Sequence, residues 1–289
     1  MKGILVINEF LHSSKFTEIY EWLLVAAKKQ GNTLKVYTNA ELVCFLTKPL
    51  LVKKLTENID FVLFWDKDIM LAKTLERMGL RVLNSSDAIL TCDNKAETFY
   101  RLCNTGIRMP KTIMGPMTYE NIGYTNMEFL KIIEEELPYP FVIKECFGSF
   151  GAQVYLVSKR RQAEEILNAC KGKPVIFQEF IECSSGRDIR INMVGNTPVA
   201  SMMRIHDTDF RANITNGGRM KCYTPNEAQI QMAQKVMEVL KLDFGGVDIL
   251  FGEGDEPILC EVNSNAHFKN IYDCTGINVA DAIMDYINR

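Results

Sequence analysis

Apolar positions in the first third of the chain follow two alternating rhythms. "GILVIN" is a continuous apolar run of strand length, and "FTEIYEWLLVAAKKQG" carries apolar residues at helical spacing until Gly31. "TLKVYTN", "IDFVLFWD" and "LRVLNSS" repeat the strand rhythm, with "DIMLAKTLERMG" a helix between the last two. This βαβ order predicts a small parallel sheet covered by helices.

The rhythm changes near Ser85. "SSDAILTCDNKAETFYRLCNTG" predicts short helices with caps at Asp87 and Asp93. "IRMPKTIMG" is a strand whose proline suits a sheet edge. Helix "TNMEFLKIIEEEL", strands "FVIKECFGSFGAQVYLVS" around a glycine-bearing loop, helix "KRRQAEEILNACKG" and strand "PVIFQEFI" predict an α+β unit. "GRDIRINMVGNTPVASMMRI" then reads as two strands joined by a turn. "TPNEAQIQMAQKVMEVLKL" reads as a helix capped by Thr224, with Pro225 first in the helix and Glu227 completing a capping box. The hairpin "DILFGEGDEPILCEVNSN" and helix "NVADAIMDYINR" follow.

Composition narrows the classes. The 289 residues are 47% hydrophobic, enough for more than one core, and carry a net charge of −3 without a long basic block. That balance argues against nucleic acid as the partner. No run approaches a membrane span, and "MKGILVINEF" reads as a strand, not a signal peptide. Nine scattered cysteines without a Cys-x-x-Cys pair predict reduced thiols and a cytoplasmic location. No Gly-x-Gly-x-x-Gly follows the first strand, so a dinucleotide site there is not expected.

Four features carry candidate chemistry. With the hairpin turn centred between Gly254 and Asp255, Asp248 falls opposite Glu261, and Asn263 shares Glu261's face. Paired oxygen ligands favour a hard cation such as Mg²⁺; a surface hairpin with a polar stripe is the plain alternative. Lys144 ends an apolar strand just before Gly148, Ser149 and Gly151, whose backbone amides can approach phosphate; an ordinary hairpin loop has the same composition. "IFQEFIE" offers Glu179 beside an apolar strand for a nucleoside, or merely an exposed strand-edge residue. Arg187, Arg190, Arg204 and Arg211 suit an anion site, although each alone reads as a solvated arginine.

In this order, "FVIKECFGSFGAQV", "FQEFI", "GRDIRINMVG", "DFRANITNGG" and "GGVDILF…LCEVN" together resemble the ATP-grasp superfamily, and within it the RimK-like ATP-dependent α-L-glutamate ligases. The resemblance spans the chain and is closest from about Asn84 onward. It implies an α/β (α+β) ATP-grasp fold. An N-terminal parallel α/β domain (1–88) would precede a central subdomain with the lid loop (89–181) and a C-terminal subdomain with the metal site (182–289). It also implies an ATP-dependent carboxylate–amine ligase working through an acylphosphate, adding an amino acid such as glutamate to a peptide, protein or small-molecule acceptor. A phosphotransferase and a non-catalytic nucleotide-binding module remain alternatives.

By the same resemblance, Lys95, Lys144, Gly148, Ser149 and Gly151 would meet phosphates. Gln178, Glu179, Phe180, Ile181 and Asp188 would meet the nucleoside. Asp248, Glu261 and Asn263 would hold Mg²⁺ (or Mn²⁺), with two ions expected. Arg211 and Asn213 would act near the γ-phosphate, and Arg190 and Arg204 on the carboxylate or acylphosphate. Arg187 would face the substrate, and Asn265 and His267 would too by their place just after Asn263, with packing of the loop against the C-terminal helix as the alternative for His267. The chain departs from the family pattern after Asn263, where "SNAHF" replaces an Ala-Ser-Pro-Gly-like stretch, leaving the acceptor open; a homo-oligomer also remains open.

Overall fold

The computed structural model describes residues 1–55, 58–148 and 151–289. In the N-terminal region β1 (Lys2–Ile7), α1 (Ser14–Lys29) and β2 (Thr33–Thr38) precede a two-stranded ribbon, β3 (Cys44–Phe45) with β4 (Leu51–Val52). Then come β5 (Phe61–Phe64), α2 (Ile69–Arg77) and β6 (Val82–Leu83). The sheet order is β2-β1-β5-β6, parallel throughout, as the alternating rhythm predicts.

Helices α3 (Ser86–Asp93) and α4 (Lys95–Leu102) form where short helices are expected, but their caps are Ser85 and Asn94. Asp87 instead grips Arg101 and Asp93 pairs with Lys67, so both carboxylates are drawn to side-chain cations rather than helix N–H groups. A second sheet is built from β7 (Thr112–Met114), β8 (Phe141–Glu145), β9 (Val154–Val157) and β10 (Val175–Glu179), with helices α5 (Phe129–Glu136) and α6 (Arg160–Cys170). Its order, β7-β10-β8-β9, leaves the proline-led β7 at an edge.

The third sheet runs β13-β12-β11-β14-β15, all antiparallel. It comprises β11 (Arg187–Val194), β12 (Thr197–Ile205), β13 (Arg219–Cys222), β14 (Phe244–Phe251) and β15 (Pro257–Asn263). Helices α7 (Glu227–Leu240), α8 (Lys269–Thr275) and α9 (Val279–Ile287) pack on it. The cap of α7 is Asn226, boxed with Gln229 and not Thr224 with Glu227, because the helix begins two residues later than the proline suggests. Among the described residues no helix is long and apolar enough to cross a membrane.

The cores do not divide one per sheet. Leu5, Phe61 and Trp65 of the N-terminal region share a core with Met202, Phe244, Phe268 and the apolar face of α9. On the opposite face of the third sheet, Val247 and Leu259 pack against Val236 and Met237 of α7 and against Ala88, Cys92 and Leu102 of α3 and α4. The second sheet has its own core around Leu130, Phe141, Leu167 and Phe177. A small cluster of Phe99, Cys146 and Ile176 links it to α4.

Asn84 fastens the first sheet to the third. Fully buried, it donates to the carbonyls of Phe244 and Ser264 at 2.9 Å each and accepts from the N–H groups of Asp243 and Phe244. Its amide thereby satisfies both its donors and its acceptor inside the core.

Candidate active site between the second and third sheets

The hairpin β14–β15 sets the geometry. Asp248 pairs with Glu261 and Gly246 with Asn263, in the expected register. The turn, however, is symmetric about Gly254, since Ile249, Leu250 and Phe251 oppose Leu259, Ile258 and Pro257. A bulge at Cys260 supplies the extra residue that returns Glu261 to Asp248. Without it Asp248 would face a thiol.

Asp248 is 2% exposed and held by two arginines. Arg190 donates to both its oxygens at 2.7 Å, and Arg204 reaches Oδ2 at 2.9 Å. Arg204 also donates to both oxygens of Asp188, at 2.6 and 2.8 Å. Two carboxylates and two guanidiniums thus form one charge-balanced cluster. Burial opposes ionisation of Asp248, but Arg190 and Arg204 outweigh it and hold its carboxyl below the usual range. Burial likewise works against the charge of Arg204, yet Asp188 and Asp248 keep it firmly protonated.

One cavity, of about 90 Å³, lies between the second and third sheets. Lys144, Val142 and Gln178 line it from the second sheet; Arg204, Asp248, Leu250 and Glu261 line it from the third. Glu179 at the end of β10, Phe180 and Ile181 from the link between the sheets, and Asp188 at the start of β11 complete it together with Arg211 and Asn213. Lys144 is 8% exposed and has no hydrogen-bond or ion-pair partner among the described residues, so an anion would relieve a buried, uncompensated ammonium. Gln178 donates to Thr112 at 2.8 Å, and its buried Oε1 has no partner.

The glycine loop is tied by the residues expected to meet phosphate. Lys95 donates to the Gly148 carbonyl at 3.2 Å and lies 3.6 Å from Glu261. Arg211 donates to the Gly151 carbonyl at 2.9 Å while gripping Asp209. Gly151 has φ +74, and a Cβ there would lie 2.4 Å from Asn213 Oδ1, so this approach requires glycine. Ser149, also expected here, lies outside the described residues.

A second cavity, of about 590 Å³, opens beside the first, and Arg204, Asn213 and Glu261 line both. Arg190, Asn263, Asn265 and His267 face it, together with Asn8, Trp65, Asp66 and Lys67 of the N-terminal region. Arg187 does not line it. That side chain sits on the first cavity, over the Phe251 ring and beside Asp255. His267 Nε2 lies 2.9 Å from the Lys15 carbonyl, which can only accept, so Nε2 carries the proton. The ring also meets Phe16 edge-on, and burial first of all lowers its pKa. Thus "SNAHF" docks on the start of α1. Cys260, Asn8 and Asp66 are absent from the sequence-predicted set. Cys260 is a bulge residue whose thiol burial pushes up to about 11, and the other two reach the cavity only through tertiary packing.

Comparison with known proteins agrees with this geometry. A family model described as a RimK-like ATP-grasp domain matches residues 92–287. The chain is 31% identical over 232 residues to the Mycoplasma genitalium protein MG012, covering 78% of this chain and 80% of that one. It is 30% identical over 267 residues to human β-citrylglutamate synthase B, covering 91% of this chain and 66% of that protein. With human N-acetylaspartylglutamate synthase A it shares 32% over 227 residues, 76% of this chain and 56% of the synthase. The chain therefore spans little more than half to two thirds of these human relatives. In structure, it superposes on a RimK domain ATP-grasp protein from Sphaerobacter thermophilus DSM 20745 with TM-score 0.74 at 20% identity, covering 99% of both chains. The ATP-grasp ligase PsnB, complexed with minimal precursor, Mg and ADP, superposes with TM-score 0.71 at 14% identity, covering 99% of this chain and 98% of that one. At those identities the superpositions speak for the fold, which is ATP-grasp. The family match over two thirds of the sequence, with the carboxylate hairpin inside it, decides the affiliation: the chain belongs to the RimK-like ATP-grasp family.

Proposed function

We propose that the chain is an ATP-dependent carboxylate–amine ligase. The observation that carries this reading is the meeting of the two cavities at Arg204, Asn213 and Glu261. A nucleotide in the first would present its terminal phosphate to a substrate in the second.

In this reading Gln178, Glu179, Phe180 and Ile181 receive the nucleoside, while Lys95 and Lys144 hold phosphate oxygens. Arg211 and Asn213 sit where the terminal phosphate would lie. Asp188 holds Arg204 with one hydrogen bond to each oxygen and keeps acceptor positions toward the same cavity for the nucleoside. The Nη1 groups of Arg190 and Arg204 have no partner among the described residues and are available to a substrate carboxylate. A carboxylate oxygen attacks the γ-phosphorus and ADP departs; an amine then attacks the acyl carbon and phosphate departs. No protein nucleophile is required, and positioning with electrostatics carries the rate.

The residues present fit a hard divalent cation. Glu261 and Asn263 offer side-chain oxygens, while the buried, partnerless Asn263 Nδ2 is a donor that a phosphate oxygen would satisfy. Three arginine contacts occupy Asp248, whose carboxylate has roughly four acceptor positions, so one remains on Oδ1. Asp248, Glu261 and Asn263 would hold Mg²⁺ or Mn²⁺, which would neutralise phosphate charge. A second ion belongs to the same proposal.

The first cavity, at about 90 Å³, is smaller than the roughly 300 Å³ at which ligand pockets begin, so the second sheet must draw back to admit ATP. The test is product analysis with ATP, Mg²⁺, L-glutamate and either citrate or N-acetyl-L-aspartate, acids named in the relatives' products. One ADP and one phosphate per amide supports the ligase. A phosphoester without free phosphate makes it a phosphotransferase.

A further inference from the structure

The second cavity has a wall that the ligase reading leaves without a role. Asp66, just after β5, lines that wall at 7% exposure. Its carboxylate accepts from the side-chain amide of Asn8 at 3.1 and 3.3 Å and from the Lys67 backbone N–H at 2.7 Å. All are neutral donors; the Lys67 ammonium is turned to Asp93. The other carboxylates buried to this degree among the described residues each have a cation. Glu145 has Lys173, Asp188 has Arg204, and Asp248 has both arginines. A buried carboxylate without a counter-ion is costly, and its missing partner is a cation.

Asn265 provides an independent observation. Its Nδ2 donates to the Asp66 carbonyl at 3.1 Å, and since a carbonyl only accepts, the amide orientation is fixed. Its Oδ1 is then an acceptor, buried and without a partner, on the same cavity. An anion and an orphan acceptor on one cavity, on residues joined by a hydrogen bond, call for a cation with several N–H donors. A metal ion is a poor match, because the Asp66 carboxylate already accepts three hydrogen bonds and Asn265 offers a single further oxygen.

We propose that Asp66 and Asn265 dock the ammonium group of the amine substrate, a primary amine such as that of an amino acid, and that Asp66 receives the proton the nitrogen sheds before it attacks. This rests on the ligase reading. The ammonium passes one proton to the Asp66 carboxylate. The freed lone pair forms the C–N bond, the acyl C–O bond to phosphate breaks, and phosphate leaves with that electron pair and the second N–H proton. Burial, the largest influence on Asp66, raises its carboxyl pKa and so favours proton uptake; neighbouring Asp68 acts in the same sense and Lys67 against it.

Binding, not turnover, tests the proposal. The full chain, loaded with ADP and Mg²⁺, is titrated calorimetrically with glycine, L-glutamate, L-lysine and putrescine, then with the N-acetyl form of each binder. At least one amine is expected to bind, and to weaken about 30-fold on acetylation or in Asp66→Asn, with about 10-fold loss in Asn265→Ala. The melting temperature of Asp66→Asn should stay level or rise, since an unpaired buried charge is removed; a structural carboxylate would lower it. Affinity unchanged in Asp66→Asn, acetylated and free amines binding alike, or no amine binding at all overturns the proposal. Should Asp66→Asn fail to fold, the acetyl comparison on the wild type decides. Absence of amide product with every acid tried would sink the ligase reading separately.

Discussion

The two walls of the first cavity are built in opposite ways. The third sheet is packed on both faces, against α9 and the N-terminal region on one and against α7 on the other. The second sheet closes a core of its own and meets the rest through the small cluster of Phe99, Cys146 and Ile176 and through the Lys95 and Arg211 hydrogen bonds to its glycine loop. One wall fixes Asp248, Arg190 and Arg204 to hydrogen-bond precision; the other is the wall that the ligase reading requires to draw back. Charge placement and access are thereby assigned to different pieces of the fold, since a wall that must move cannot also hold a four-charge cluster at fixed distances.

Asp248→Ala strikes the fixed wall hardest. It leaves Arg190 and Arg204 buried without their shared partner, and urea unfolding should show a loss of about 3–5 kcal/mol together with inactivity. A loss below about 1 kcal/mol would mean the cluster is not what holds this wall. Glu261→Ala should separate function from stability. Its side chain is 30% exposed and only loosely paired with Lys95, so turnover should fall about 100-fold or more while the melting point moves by no more than about 2 °C.

On the moving wall, Lys144→Ala should weaken ATP about 10-fold, read by nucleotide titration. ATP with Mg²⁺ should also protect the segment from Phe147 to Gln153 against limited proteolysis. Cleavage indifferent to nucleotide would remove the distinction between the walls. The smallest effect concerns His267→Ala, which deletes the bond to the Lys15 carbonyl and should cost about 1 kcal/mol. Because burial lowers the His267 pKa, the folded state resists its protonation. Its contribution is therefore complete above the ordinary histidine value of about 6.5 and declines as pH falls below it. A higher KM for the amine with unchanged stability would instead make His267 a substrate contact.

Periodicity made the strands and most helices legible, since each buries a face that the sequence writes at period 2 or 3.6. The carboxylate pairing was legible for a less secure reason. The expected turn centre is off by half a residue, and the bulge at Cys260 restores the register. The caps Ser85, Asn94 and Asn226 replace the expected Asp87, Asp93 and Thr224, because several capping-type residues stand side by side and tertiary pairing decides which one meets the helix N–H groups. What could not be read is long-range: the two-arginine clamp on Asp248, and Asp66 and Asn8 on the second cavity. No local pattern specifies which side chains meet across 50 to 200 residues.

The core shared by the two ends of the chain also constrains how the protein is made. Leu5, Leu23 and Phe61 bury themselves against Phe244, Phe268 and Ile283. Asn84 awaits carbonyls and amides at positions 243, 244 and 264. A chain emerging from the ribosome therefore carries residues 1–83 with an open apolar face until α9 (Val279–Ile287) follows. The second sheet, closing on residues 112–179, can settle long before. Residues 279–287 thus complete the core that residues 1–83 open, and nascent chains stalled before residue 279 should be the ones that chaperones hold.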